Sequence, residues 1–184
     1  MKVGNNEYEL YPELAQKHVE PTAFVSLSRN NSNILMWSHY AQSHKGFCIG
    51  FKRDTYFNKA EPIRYRRNRS SLNGLPLEYL SKDNVLKGVS LEKAIDWAYE
   101  EEERLFLCDV EKNLLDVGED EWGLPIQLNT YPLSSVGAVY LGIRSSDKLE
   151  SQVKASLSRH SIEIPVYKAK KCIDQYGLEF ELRT

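Results

Sequence analysis

Residues 24–51, FVSLSRNNSNILMWSHYAQSHKGFCIGF, set two apolar segments around a cluster of aromatic and hydrogen-bonding side chains. FVSLS alternates apolar and hydroxyl residues with the period of two expected of a strand, and GFCIGF predicts a second, more apolar strand opened by Gly46. Between them MWSHYA has short-helix spacing, which predicts Trp37, Tyr40 and Ala41 on one face with His39 turned aside. Large aromatics dominate cores, so Trp37, Tyr40 and Phe47 read either as core or as the lining of a site.

The pattern continues irregularly on both sides. Residues 7–19, EYELYPELAQKHV, predict a short helix interrupted near Pro12. PIRYRRNRS starts as a strand, with Arg64 and Arg66 on one side and Tyr65 opposite, and then becomes a basic loop carrying Arg67 and Arg69. Such a run is either a solvated loop, balanced by the carboxylates Glu100 to Glu103, or a grip for phosphate groups. Downstream, Ser81 and Ser90 are candidate helix N-caps, the latter placing Glu92 in a first turn where the helix dipole favours a carboxylate.

WAYEEEERLF, residues 97–106, admits two arrangements. As a strand it puts Glu100, Glu102 and Arg104 on one face and Glu101 and Glu103 on the other; as a helix it makes Glu100 and Arg104 an i, i+4 pair. Four adjacent carboxylates repel one another, so a partly buried member is expected to have a raised pKa. Residues 111–121 read as an acidic, turn-rich hairpin or loop ending at Trp122, Gly123 and Leu124. A strand VGAVYLG then leads to a helix capped near Ser145 or Ser146, followed by the strands IEIPVYKAK and YGLEFEL. The Ser145, Ser146, Asp147 cluster, where strand meets helix, is explained by capping and also suits an anion.

Composition narrows the classes. With 184 residues, 41% hydrophobic and 27% charged, the chain is long enough for one well-buried domain, taken as residues 1–184. A net charge of -2 gives no global attraction to nucleic acid or anionic membrane. No apolar run approaches the roughly 20 residues that span a bilayer, and the start lacks a secretory h-region, so a cytoplasmic protein with no membrane partner is expected. The three cysteines, Cys48, Cys108 and Cys172, are widely spaced without a CxxC pair, which points to free, buried thiols. His39 and His44 have no Cys, Asp or Glu beside them at ligand spacing, so no metal is expected. The P-loop, GxGxxG, HExxH and GxSxG patterns are all missing from the sequence. Short strands alternating irregularly with a few short helices predict an α+β fold with a mixed, mostly antiparallel split sheet.

Three motifs, LMWSHYAQSHKGFCIGF, the Trp97, Tyr99, Glu100, Glu102, Arg104 set, and the late VYLG strand followed by a helix, resemble the bacterial domain-of-unknown-function family 2971, with agreement over about residues 24–182. That family is similar, at a distance, to the ADP-ribosyltransferase-like fold. The resemblance implies NAD as co-substrate in a cleft, Glu102 as catalytic glutamate facing Trp37 and Tyr40, and Tyr40 as a stacking aromatic; His39 reads from its own surroundings either as a hydrogen bond that fixes the loop or as a catalytic or ligand contact. It also implies Ser26 or Ser28 on the strand beside the nicotinamide, with Trp37, Glu100 and Arg104 around the cofactor. The implied activity is that of a transferase acting as a toxin or phage-defence effector on a protein or nucleic-acid target; the rival class is a non-catalytic nucleotide- or protein-binding module of the same fold. One departure stands out: only residues 1–23 precede FVSLS, and Lys2 and His18 are the sole candidates there for the Arg or His that anchors nicotinamide. A short family variant, a truncated gene product, or a partner chain supplying the missing first strand are the expectations that follow.

Overall fold

The computed structural model describes residues 23–53, 56–70, 83–110, 114–121, 123 and 125–183. The helix expected over 7–19, Lys2, His18, Trp122, Leu124 and the cap expected at Ser81 lie outside the described residues.

FVSLS forms β1 (Phe24–Ser28). Asn33 then caps α1 (Ile34–Tyr40), its side chain accepting from the amides of Leu35 and Met36. A loop in which Gln42, Ser43 and His44 all have positive φ leads into β2 (Phe47–Phe51). β3 (Glu61–Pro62) and β4 (Arg64–Arg66) precede α2 (Asp83–Ser90), β5 (Glu92–Ala94), a 3₁₀ helix (Ile95–Glu100) and β6 (Glu102–Phe106). The acidic stretch is a hairpin of β7 (Leu114–Glu119) and β8 (Pro125–Asn129), with a register irregularity between Asp116 and Gly118. β9 (Val136–Leu141), α3 (Asp147–Arg159), β10 (Val166–Lys171) and β11 (Leu178–Leu182) complete the chain, and Ser146 caps α3 through the amide of Leu149.

The strands make an α+β arrangement of small sheets. One is three-stranded, β1-β6-β3, and antiparallel throughout; another is four-stranded, β11-β10-β9-β2, antiparallel except where α3 carries the chain from β9 to its parallel neighbour β10. β4 and β5 form a parallel two-stranded ribbon. The start expected at Ser90 is corrected here: Ser90 ends α2, and Glu92 lies in a strand. The reason is tertiary, because Leu91 is buried with Ile63 and Phe106 and its carbonyl accepts from the Arg64 amide at 2.8 Å.

β6 is the middle strand of its sheet and is covered on both faces. Leu105 packs with Phe57 and Ala60, with Leu27 of β1 against them, on one side; Phe106 packs with Ile63 and Leu91 on the other. Strand alternation therefore leaves Glu102 and Arg104 on the Phe106 face and Glu103 on the Leu105 face. A separate cluster, Trp37, Ala41, Ala169 and Leu178, holds α1 against the four-stranded sheet. Among the described residues, no helix is long and apolar enough to cross a membrane.

Candidate functional site

The antiparallel register sets Ser26 opposite Arg104 and Ser28 opposite Glu102, so all four side chains share one face of the β1–β6 pair. Glu102 is 4% exposed and is nonetheless charged, because each oxygen meets donors. Ser26 Oγ donates to its Oε1 at 2.8 Å, Arg104 Nε to the same oxygen at 2.7 Å, and Lys93 Nζ to its Oε2 at 2.9 Å. The Glu102 amide in turn donates to the Tyr65 hydroxyl at 2.7 Å, and burial pushes that phenol up. Lys93 arrives on β5, beside Tyr65 of β4, and also bonds Glu100, which is 3% exposed. Tyr40 closes the chain of contacts from α1, its hydroxyl donating to Glu100 Oε1 at 2.6 Å.

The charges balance: Glu100 and Glu102 face Lys93 and Arg104. Burial raises the cost of ionising Glu102, but the hydrogen bonds from Arg104, Lys93 and Ser26 outweigh it and hold the carboxyl down at about 2. The raised carboxyl pKa expected from four adjacent glutamates is thus reversed at Glu102. The four are not left to repel one another. Glu103, on the opposite face, is clamped by Arg53 with Arg29 at 3.7 Å, and Glu101, at φ 45, accepts from Asn30 Nδ2 at 2.8 Å. Burial costs the Lys93 ammonium, yet its bonds to Glu100 and Glu102 leave its pKa raised; the bond to Glu100 lifts the Tyr40 phenol to about 12. Arg104 is fixed further by the Ser90 carbonyl and by the Phe24 ring, 4.3 Å from its guanidinium carbon.

Of the residues singled out from sequence, Ser26, Tyr40, Glu100, Glu102 and Arg104 come together in this network. Ser28 stands next to it, its hydroxyl donating to the Glu100 carbonyl at 2.7 Å. His39 is exposed, 6.3 Å from the rings of Tyr40 and Tyr99. Trp37 and Tyr40 do not line one cleft, a correction to the expected face: Trp37 is 3% exposed in the α1 core cluster with its indole N–H on the Asn31 carbonyl, whereas Tyr40 is 62% exposed. The basic run is likewise corrected, since Arg64 donates to the Gly88 carbonyl and Arg66 pairs with Glu92, not with Glu100 to Glu103. Lys93, Tyr65 and Asn33 were not foreseen. Asn33 has a legible signal, an Asn directly before the apolar ILMW run, and its Nδ2 also ties α1 to the Tyr99 carbonyl at 2.9 Å.

A groove of about 320 Å³ between α3 and the end of β11, lined in part by Leu157, Ile162, Ile164 and Arg183, shares no residue with the Glu102 network. Among the described residues, no group of three His, Cys, Asp or Glu side chains is placed to hold a metal ion.

The stretch that builds most of this network has relatives. Residues 36–105 match the model of a family described as "Protein of unknown function (DUF2971)", a span that takes in most of α1, β2 to β5 and most of β6, and stops before the β9–α3 unit. No curated protein matches the chain, and no solved structure does.

Proposed function

We propose that this chain is a NAD-utilising transferase of the ADP-ribosyltransferase type, with Glu102 as its essential carboxylate, working as an effector of the toxin or phage-defence kind. The observation that carries this reading is the state of Glu102: a carboxylate ionised across the physiological range and fixed by Ser26, Arg104 and Lys93. An ionised carboxylate offers about four acceptor sites, and these partners use three, so the charge is held in place with one acceptor site unspent. In glycosyl transfer from NAD the bond between ribose C1′ and the nicotinamide nitrogen breaks, and its electron pair leaves with nicotinamide. Positive charge develops on the ribose, and a preorganised anion lowers the barrier by stabilising it. An acceptor's lone pair then forms the new bond to C1′, its proton passing to solvent. Tyr40, exposed and tethered to Glu100, stands at the edge of this arrangement as the stacking aromatic.

A second reading has its own support. Glu102 is so well satisfied by neighbours that it equally suits a buried ion-pair node beneath a binding surface, in a module that holds a nucleotide or protein without turnover. Incubating the purified chain with NAD and following free nicotinamide separates the two. Release that disappears in Glu102→Gln supports the transferase; NAD binding without release supports the module.

A further inference from the structure

The rings around the network continue outward as a strip in which His39, Tyr40 and Trp97 are exposed and Tyr99 is half-buried. Tyr40, His39, Tyr99 and Trp97 follow one another with centroid separations of 6.3, 6.3 and 6.0 Å. Lys93 sits 5.2 Å from the Trp97 ring, and the tryptophan is still 41% exposed. Two open aromatics, Tyr40 and Trp97, joined through an exposed histidine and the half-buried Tyr99 and tied to a charged network, are more than core packing requires. It is also beside the basic loop. β4 and β5 run parallel, with Arg66 opposite Ala94, so the chain leaves both strands at the same end. From that end of β4 emerge Arg67, Asn68 and Arg69, and from that end of β5 the 3₁₀ helix carrying Trp97 and Tyr99. β4 and this helix are in contact. Arg64 and Arg66 are occupied, but Arg67 and Arg69 are exposed and have no ion pair or hydrogen bond among the described residues.

We propose that the Tyr40–His39–Tyr99–Trp97 strip and the Arg67–Arg69 loop together seat a single-stranded nucleic acid, with bases on the rings and phosphates on the two guanidiniums. Exposed aromatic rings beside exposed cations are the chemistry of single-strand binding: every base has a π-face, and the backbone supplies the anions. A duplex hides its base faces and does not use the rings. The net charge of -2 fits a short, local contact and not an extended electrostatic track. This inference rests on the transferase reading in one respect, for the strand would there be the acceptor presented to Glu102; the binding itself needs no NAD chemistry.

The test uses the full chain and a fluorescein-labelled single strand of about ten nucleotides, as DNA and as RNA, followed by anisotropy at low salt, with a duplex and ADP-ribose as further probes. Trp97→Ala is expected to weaken single-strand binding at least about five-fold, the lower end of what one stacked base contributes. Trp97→Tyr, which keeps a ring, is expected to retain it and so separates stacking from loss of fold. Arg67→Ala with Arg69→Ala is expected to flatten the salt dependence by about 1.4 log units per log unit of salt, the loss of two phosphate contacts on a single strand. Absence of oligonucleotide binding, or binding indifferent to these variants, overturns the proposal. Binding of ADP-ribose with no binding of the single strand also overturns it and gives the strip to the dinucleotide. A chain that binds the single strand but releases no nicotinamide from NAD sinks the transferase reading alone.

Discussion

Replacing Lys93 by methionine removes the one cation that, among the described residues, Glu100 and Glu102 share, while keeping much of the side chain's volume. Both carboxylates are nearly inaccessible, so the substitution leaves buried charge facing buried charge. Removing one partner of a buried ion pair costs about 3–5 kcal/mol. Lys93 is 25% exposed, and water reaching its position lowers the expected cost to about 2–4 kcal/mol. For a chain of this length that is a fall in Tm of roughly 4–16 °C near neutral pH. The loss should shrink on acidification, because protonating either carboxyl removes the uncompensated charge. It should shrink likewise when Glu100→Gln is added to Lys93→Met. Thermal melts of the single and double variants between about pH 4 and pH 8 make the measurement. A Lys93→Met chain that melts within about 1 °C of the unaltered protein at neutral pH, or that loses the same stability at both ends of the range, would refute the view that Lys93 holds the two glutamates together.

Glu102 itself should show in the acid limb. Its carboxyl lies at about 2 in the fold against an ordinary 4.5, so its contribution is present in full above about pH 4.5 and is lost as pH falls toward 2. The contribution is at most about 3 kcal/mol, and roughly half that once water at Ser26 and Lys93 is allowed for; Glu102→Gln should flatten stability against pH in that window. Asn33→Ala deletes the α1 cap and the tie to Tyr99, and a loss of about 1–2 kcal/mol in denaturant melts is expected, in contrast to little change for an exposed position such as Gln42→Ala. Gly142→Ala should be far more damaging, because a Cβ there would run into the backbone carbonyl of His44 and stand 3.1 Å from that of Gly46; a soluble variant with an unaltered Tm would show that the 44–46 loop yields easily.

How much of this was legible depended on whether a residue's partners were local. FVSLS, GFCIGF, VGAVYLG, IEIPVYKAK and YGLEFEL each carry their own hydrophobic pattern and became β1, β2, β9, β10 and β11; Ser146 announced α3 through capping chemistry. The alternation within EERLF likewise separated Glu102 and Arg104 from Glu103, and the Ser26 to Glu102 bond joins two segments that were both marked as unusual. Glu92 to Ala94 has no strand propensity and forms β5 because Leu91 is held between Ile63 and Phe106, a contact no local pattern encodes. Lys93 was invisible for the same reason: its role depends on a parallel pairing with β4 that brings it to two glutamates seven and nine residues further on. The charge state of Glu102 followed from that omission, since repulsion among glutamates predicts a raised carboxyl only when the threading cations are left out. Trp37 shows the opposite case, where an aromatic near chemistry-bearing residues is simply core.

The central claim is that Glu102 is the carboxylate of a glycosyl transfer from NAD, and free nicotinamide measured over time from purified chain and NAD tests it most directly. The account predicts release by the unaltered protein, its loss in Glu102→Gln with the fold retained, and a marked reduction in Ser26→Ala, which removes one of the two donors that fix Glu102 Oε1. Release that is unchanged in Glu102→Gln, or no release by the unaltered protein with oligonucleotide acceptor present, would contradict it.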